Sequence, residues 1–166
     1  MAASTDYIPP TAQERLAVLR TTRSIAIVGM SADPSRASYF VATYLRSSSC
    51  SFDHVWFVNP KGGEILGQPV HRSLAELPGV PDLVDVFRRS EDLPAMAEEV
   101  ASIPGTKTFW AQLGLFSEDA ATIASAAGLT VVMNRCLKIE HARFAGGLHQ
   151  AGFDTGVISS RRRPSL

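Results

Sequence analysis

The residues that could do chemistry here are mostly suited to holding an anion. Gly29 and Ser31 close the apolar run S-I-A-I-V, and Arg36 and Ser38 follow across the short polar loop A-D-P-S-R. Glycine supplies a tight turn, Ser31 a hydroxyl, and the backbone N–H groups of a following helix favour a phosphate. The alternative is an ordinary strand-to-helix turn. Lys61 ends a second apolar run in V-N-P-K-G-G. An acidic residue at that place would bind free ribose hydroxyls, whereas a lysine suits a ribose that carries a phosphate. A solvated loop lysine is the plainer alternative. Arg88 and Arg89, in F-R-R-S-E, set two guanidinium forks beside a helix start, where they match phosphate or carboxylate. They can equally pair with Asp85, Glu91 or Glu140, and at least one is expected to be structural.

Cys136 has Arg135, Lys138 and His141 close in sequence, and nearby cations lower a thiol's pKa. A reactive thiol and an inert cysteine buried at a turn both fit. Glu140 and His141 are adjacent, and adjacent helical residues do not face each other, so separate partners are expected for them rather than an acid–base pair. Cys50, after three serines, receives no role, and His54 and His71 show no evident partner in the sequence.

Alternating elements must position these residues. Residues 11–20 have helical spacing, and residues 24–28 read as a first strand. Residues 38–46 read as a helix with Phe40, Val41, Tyr44 and Leu45 on one face. Residues 54–58 form a second strand, followed by a turn-rich loop or small hairpin. Residues 83–87 form a third strand. Ser90 is then expected to cap a helix that starts with Glu91 and Asp92 and stops at Pro104-Gly105. Residues 107–111 form a fourth strand. Ser117 caps a helix ending near Gly128, and residues 129–133 form a fifth strand. A short helix near 139–144 and a loose stretch over 146–156 follow. Trp56, Phe57, Phe109 and Trp110 lie in strands and read as core or helix-packing residues rather than base-stacking platforms.

Continuous apolar strands alternating with helices predict an α/β fold with a mainly parallel sheet covered on both faces and right-handed crossovers. Ligands in such folds bind at the carboxyl ends of the strands, at a topological switch point. That edge collects Gly29, Met30 and Ser31, then Asn59, Pro60 and Lys61. Phe87 and Arg88, Ala111, Gln112 and Leu113, and Asn134 and Cys136 complete it.

A chain of 166 residues, 45% apolar and 19% charged, suits one globular domain, expected over residues 1–150. Residues 151–166, ending R-R-R-P-S-L, are expected to form a flexible basic tail. The 16 basic and 16 acidic residues balance, so no global field favours nucleic acid or an anionic membrane. Two cysteines outside any C-x-x-C pair, histidines without metal-site spacing, no evident secretory signal and no bilayer-length apolar run point to a cytoplasmic protein without a metal.

Two phosphorylated-ribose ligands, NADP and coenzyme A (CoA), fit the lysine at the second strand end. The ordered set V-G-M-S, V-N-P-K, V-D-V-F-R-R-S-E, W-A-Q-L-G and V-V-M-N-R-C-L-K-I-E-H resembles the small stand-alone CoA-binding protein family across residues 15–144. It is more distantly similar to the CoA-binding domain of the succinyl-CoA synthetase alpha subunit. The resemblance implies a Rossmann-like, three-layer, doubly wound domain with a five- to six-stranded sheet. Gly29, Met30 and Ser31 would meet the pantetheine or diphosphate, with Arg36 and Ser38 near the phosphates, and Tyr39 also belongs to the expected cofactor-binding set. Asn59-Pro60-Lys61 is similar to a synthetase loop whose lysine contacts CoA. Phe87 and Arg88 would flank the adenine or phosphate side, and Ala111, Gln112 and Leu113 the pantetheine arm. Asn134 and Cys136 close the set, and a reactive Cys136 would form a mixed disulfide with the CoA thiol where a two-electron oxidant takes up the electrons of the two thiols. Leu137 stands where the family tends to have proline.

Ligase chemistry of the synthetase kind needs a phosphorylated histidine and a nucleotide-grasping domain, and the sequence offers neither. The expected function is therefore non-catalytic binding of CoA or an acyl-CoA, as a binding or regulatory module and possible homodimer. The alternatives are an NADP-dependent oxidoreductase and an interaction module acting with a separate acyl-CoA ligase or acyltransferase.

Overall fold

The apolar runs become strands because each can bury both of its faces under helices. The structure, a computed structural model, describes residues 7–144; the expected tail and the stretch 146–156 lie outside the described residues. Helix α1 (Ala12–Thr21) starts at Thr11, whose side chain accepts from the Glu14 amide. It leads into β1 (Ser24–Val28), α2 (Ala37–Leu45) and β2 (His54–Val58). A hairpin of β3 (Glu64–Ile65) and β4 (Gln68–His71) precedes β5 (Leu83–Val86). Then come α3 (Leu93–Ala101), β6 (Thr108–Ala111), α4 (Glu118–Ala126), β7 (Thr130–Val132) and α5 (Leu137–Arg143).

The strands form one sheet in the order β3-β4-β2-β1-β5-β6-β7. Every pair is parallel except β3 with β4. The sheet is wider than the expected five to six strands. The turn-rich segment after β2 is a hairpin, and β4 pairs in parallel with β2, Phe57 opposite Val70 and Val58 opposite His71. From β1 the chain moves outward to β2 and β4, then returns to the other side of β1 as β5. The switch point therefore lies between β1 and β5.

Strand alternation divides the core into two layers. Ala26, Val28, Val84, Val86, Phe109 and Ala111 pack with α3 and α4. Ile25, Ile27, Phe57, Leu83, Trp110 and Val132 pack with α1, α2 and α5.

Three local expectations are corrected. Ser90 does not cap α3: a 3-10 turn over Ser90–Asp92 comes first, and the Ser90 hydroxyl accepts from the Phe116 amide at 3.2 Å. Phe40 does not join the buried face of α2, which is Ser38, Val41, Ala42 and Leu45; it is 61% exposed. His54 has a partner after all, stacked on Trp56 with ring centroids 4.9 Å apart. The cap at Ser117 forms as expected, accepting from the Ala120 amide.

Glu140 and His141 take separate partners. Glu140 is buried and meets Arg15 at 2.9 Å, Arg135 at 3.3 Å and Arg143 at 3.6 Å. His141 Nδ1 lies 2.8 Å from Tyr44 Oη and 3.8 Å from the Cys50 thiol. Burial pushes His141 down to about 4 and Cys50 up to about 12. It also raises Tyr44, with the neighbouring Cys50 adding to the shift. This cluster pins α2 to α5 from the inside.

Candidate functional site

At the switch point the loops after β1 and β5 press together. Gly29 has φ +83°, and a Cβ there would lie 2.3 Å from the Phe87 carbonyl oxygen. Only glycine has room, and its backbone conformation is one that other residues rarely adopt. Phe87 N donates to Val28 O at 2.8 Å, and the Gly29 and Met30 amides both donate to Val58 O. The first loop is then fixed onto α2: the Ser31 amide donates to Ser38 Oγ at 3.0 Å. Asp33 accepts from the Ser35 amide and hydroxyl, and these bonds hold its carboxyl below the usual range.

A cleft of about 920 Å³ opens above this junction, between α2 and α5. Nine of the expected residues line it: Gly29, Ser31, Arg36, Ser38, Phe87, Arg88, Gln112, Leu113 and Cys136. Helix α2 offers its N-terminus to the cleft. Its N-cap is Arg36, without a side-chain cap, and its first turn holds no acidic residue. Its first amides are thus left for another acceptor. Among the described residues, Arg36, Arg88, Arg89 and Lys138 give the lining four cations, and no carboxylate lines it. Arg89 is exposed and pairs with Glu91 at 3.0 Å and Asp92 at 3.4 Å. Arg88 makes none of the pairings expected for it: its Nε is buried and has no hydrogen-bond partner among the described residues. A buried guanidinium donor at a cleft is the kind of group that a phosphate satisfies.

The other expected residues stand elsewhere. Met30 and Ala111 are fully buried in the core. Tyr39 is half-buried and packs against the α2 layer. Asn59 is a staple: its Nδ2 donates to Met30 O at 2.7 Å and its Oδ1 accepts from the Lys61 amide at 2.9 Å. Pro60 and Lys61 are exposed on that stapled loop, outside the lining. Asn134 has φ +56° and accepts from the Gly114 amide at 2.8 Å, which ties the loop after β7 to the loop after β6. Cys136 is a free, half-buried thiol at the N-cap of α5. Leu137 supplies an amide that a proline would lack, and it donates to Gln112 Oε1 at 2.9 Å.

Sequence reasoning missed Ala37, Phe40, Val41, Leu115, Lys138 and Ile139 as lining residues. Lys138 carried the one usable signal, a cation beside a candidate cysteine. The apolar residues resemble core residues until the helices are placed. Among the described residues no helix is long and apolar enough to cross a membrane, and no cluster of three or more His, Cys, Asp or Glu suits a metal ion.

Known proteins share this architecture. The chain is 38% identical over 133 residues to the uncharacterised protein YneT of Bacillus subtilis (strain 168), covering 80% of this chain and 96% of YneT. A hypothetical protein from Pyrococcus horikoshii OT3 superposes with a TM-score of 0.74 at 30% identity, covering 83% of this chain and 96% of that one. The protein cell-free ID.343 from Thermus thermophilus superposes with a TM-score of 0.73 at 34% identity, covering 81% and 98%. Residues 23–142, which hold every strand and the whole cleft lining, match the CoA binding domain, and the chain is a member of that family.

Proposed function

We propose that the cleft holds coenzyme A, free or acylated, with its phosphates at the β1–β5 junction, and that the protein is a cytoplasmic binding or regulatory module. The observation that carries this is the lining among the described residues: four cations, an uncapped helix start and no carboxylate, with the Arg88 Nε buried and unpartnered. Such a surface suits a polyanion. The diphosphate lies against the amides at the start of α2 and beside Arg88. The pantetheine arm runs past Gln112 and Leu113 toward Cys136. Lys61, on the loop that Asn59 staples to the β1 loop, reaches the ribose 3′-phosphate. The two free thiols fit a reducing compartment.

Isothermal titration with CoA, 3′-dephospho-CoA and NADP(H) tests this. CoA is expected to bind and NADP(H) to bind weakly. A charge-assisted hydrogen bond contributes about 1.5–3 kcal/mol. Lys61→Ala should therefore weaken CoA about tenfold or more and leave dephospho-CoA nearly unchanged. Tight NADP(H) binding without a CoA response would overturn the proposal, and an equal loss for both CoA forms would remove Lys61 from its role.

A further inference from the structure

We infer that the cleft is built for acyl thioesters of coenzyme A, with Phe40, Leu113 and Ile139 forming a subsite for the acyl chain; this rests on the CoA reading above. Six large apolar side chains are exposed among the described residues, and these three line the cleft, at 61%, 63% and 51% exposure. Single exposed apolar residues are ordinary, but a group of them in one cleft marks a binding surface. They come from three separate elements: the first turns of α2, the loop after β6 and the first turn of α5. Folding does not need them there. The buried face of α2 is Ser38, Val41, Ala42 and Leu45, and that of α5 is Leu137, Glu140 and His141. Phe40 and Ile139 therefore sit on helix positions that the core leaves over.

The charge of the cleft says what covers them. Arg36 and Arg88 stand at its β1–β5 end, whereas Lys138 stands on α5, with Nζ 3.5 Å from the centroid of the Phe40 ring. The cationic wall thus runs directly into the apolar one. A ligand complementary to both is an anionic headgroup that continues into a hydrocarbon chain. Free CoA reaches Leu113 with its pantetheine arm but ends in a thiol and would leave Phe40 and Ile139 in water, while an acyl chain on that thiol continues from Leu113 and covers them. A second copy of this chain would have to meet the cationic lining with an acidic surface.

The test is titration of the full chain with CoA, acetyl-CoA, octanoyl-CoA and octanoate, together with sedimentation of the free protein. A fully buried methylene is worth about fourfold in affinity. Octanoyl-CoA has six more methylenes than acetyl-CoA and, with its chain about half covered, should bind at least about 30-fold more tightly. In a Phe40→Ser, Ile139→Ser double variant that ratio should fall below about fivefold. Both substitutions fall on exposed side chains, so the fold survives them. Equal affinity for acetyl-CoA and octanoyl-CoA, with CoA itself bound, would overturn the acyl subsite while leaving the coenzyme reading intact. Failure to bind CoA in any form would overturn the coenzyme reading and the subsite with it. Octanoate binding as tightly as octanoyl-CoA would detach the patch from the coenzyme, and a dimer that the double variant dissociates would assign it to a second copy; either result overturns the inference.

Discussion

Asp85 lies in the middle of β5, fully buried, with neither carboxylate oxygen hydrogen-bonded among the described residues. Desolvation holds its carboxyl well above the usual 3.8. Above about pH 4 the unfolded chain releases this proton and the folded chain keeps it. The stability present at low pH is therefore lost as pH rises toward the folded value, by up to about 1.4 kcal/mol per pH unit. His141 works the other way. Burial lowers it from 6.5 to about 4, so its contribution is complete above pH 6.5 and disappears as pH falls toward 4. Where the two slopes overlap they oppose, so the native protein should show a shallower stability profile there than either group alone would give. Asp85→Asn should leave the His141 slope, with stability rising from pH 4 to 6.5. His141→Phe should leave the Asp85 slope, with stability falling as pH rises above about 4. Urea midpoints read by tryptophan fluorescence across that range check both, and profiles parallel to the native one in both variants would refute the pairing.

Helix α5 is short, and its place depends on Glu140. That carboxylate is 3% exposed and receives Arg15 from α1 and Arg135 from the loop after β7, with Arg143 one turn along. The Arg15 guanidinium also donates to Pro10 O at 2.7 Å. Removing one partner of a buried ion pair costs about 3–5 kcal/mol, because the other charge is left buried alone. Glu140→Ala should lose that much in denaturant unfolding and should weaken CoA binding, since α5 is one wall of the cleft. A loss below about 1 kcal/mol would mean that solvent already carries the arginines. The elements themselves were largely legible. Runs such as Ser24–Val28 and Leu83–Val86 are apolar at every core position but one, and only a strand buried on both faces needs that. Strand β4 was harder to see: Gln68-Pro69-Val70-His71 carries a proline and neither alternates nor runs apolar, and it becomes a strand by pairing with β2. The site was legible as an edge but not as a volume. Strand ends named the β1 and β5 loops, whereas Phe40 read as part of a buried face because helical spacing does not say how a helix is rotated against its sheet. Asn59 and Asn134 sit at strand ends for the loops they hold, and nothing in their residue type separates that role from ligand contact.

At the scale of the molecule, the cleft takes its helices from one layer only. Its lining comes from α2, α5 and the loops after β1, β5, β6 and β7, while α3 and α4 on the other face contribute none of it. A bound ligand therefore bridges the loops after β1, β5 and β6 and the starts of α2 and α5, which also meet at the His141–Tyr44 contact and the Lys138–Phe40 pair. At a hundredfold excess over Kd, binding adds about 2.7 kcal/mol to stability. For a chain of this size, that raises Tm by roughly 5–10 °C. Amides that exchange only through global unfolding gain the same factor everywhere, so the informative ones exchange by local opening. Among these, CoA should protect residues 36–41, 87–89 and 136–140 and leave α3 and α4 unchanged. Hydrogen exchange read by mass spectrometry on the free and CoA-bound chain resolves the two layers. Local protection centred on α3 and α4 would place the ligand on the opposite face of the sheet from the cleft.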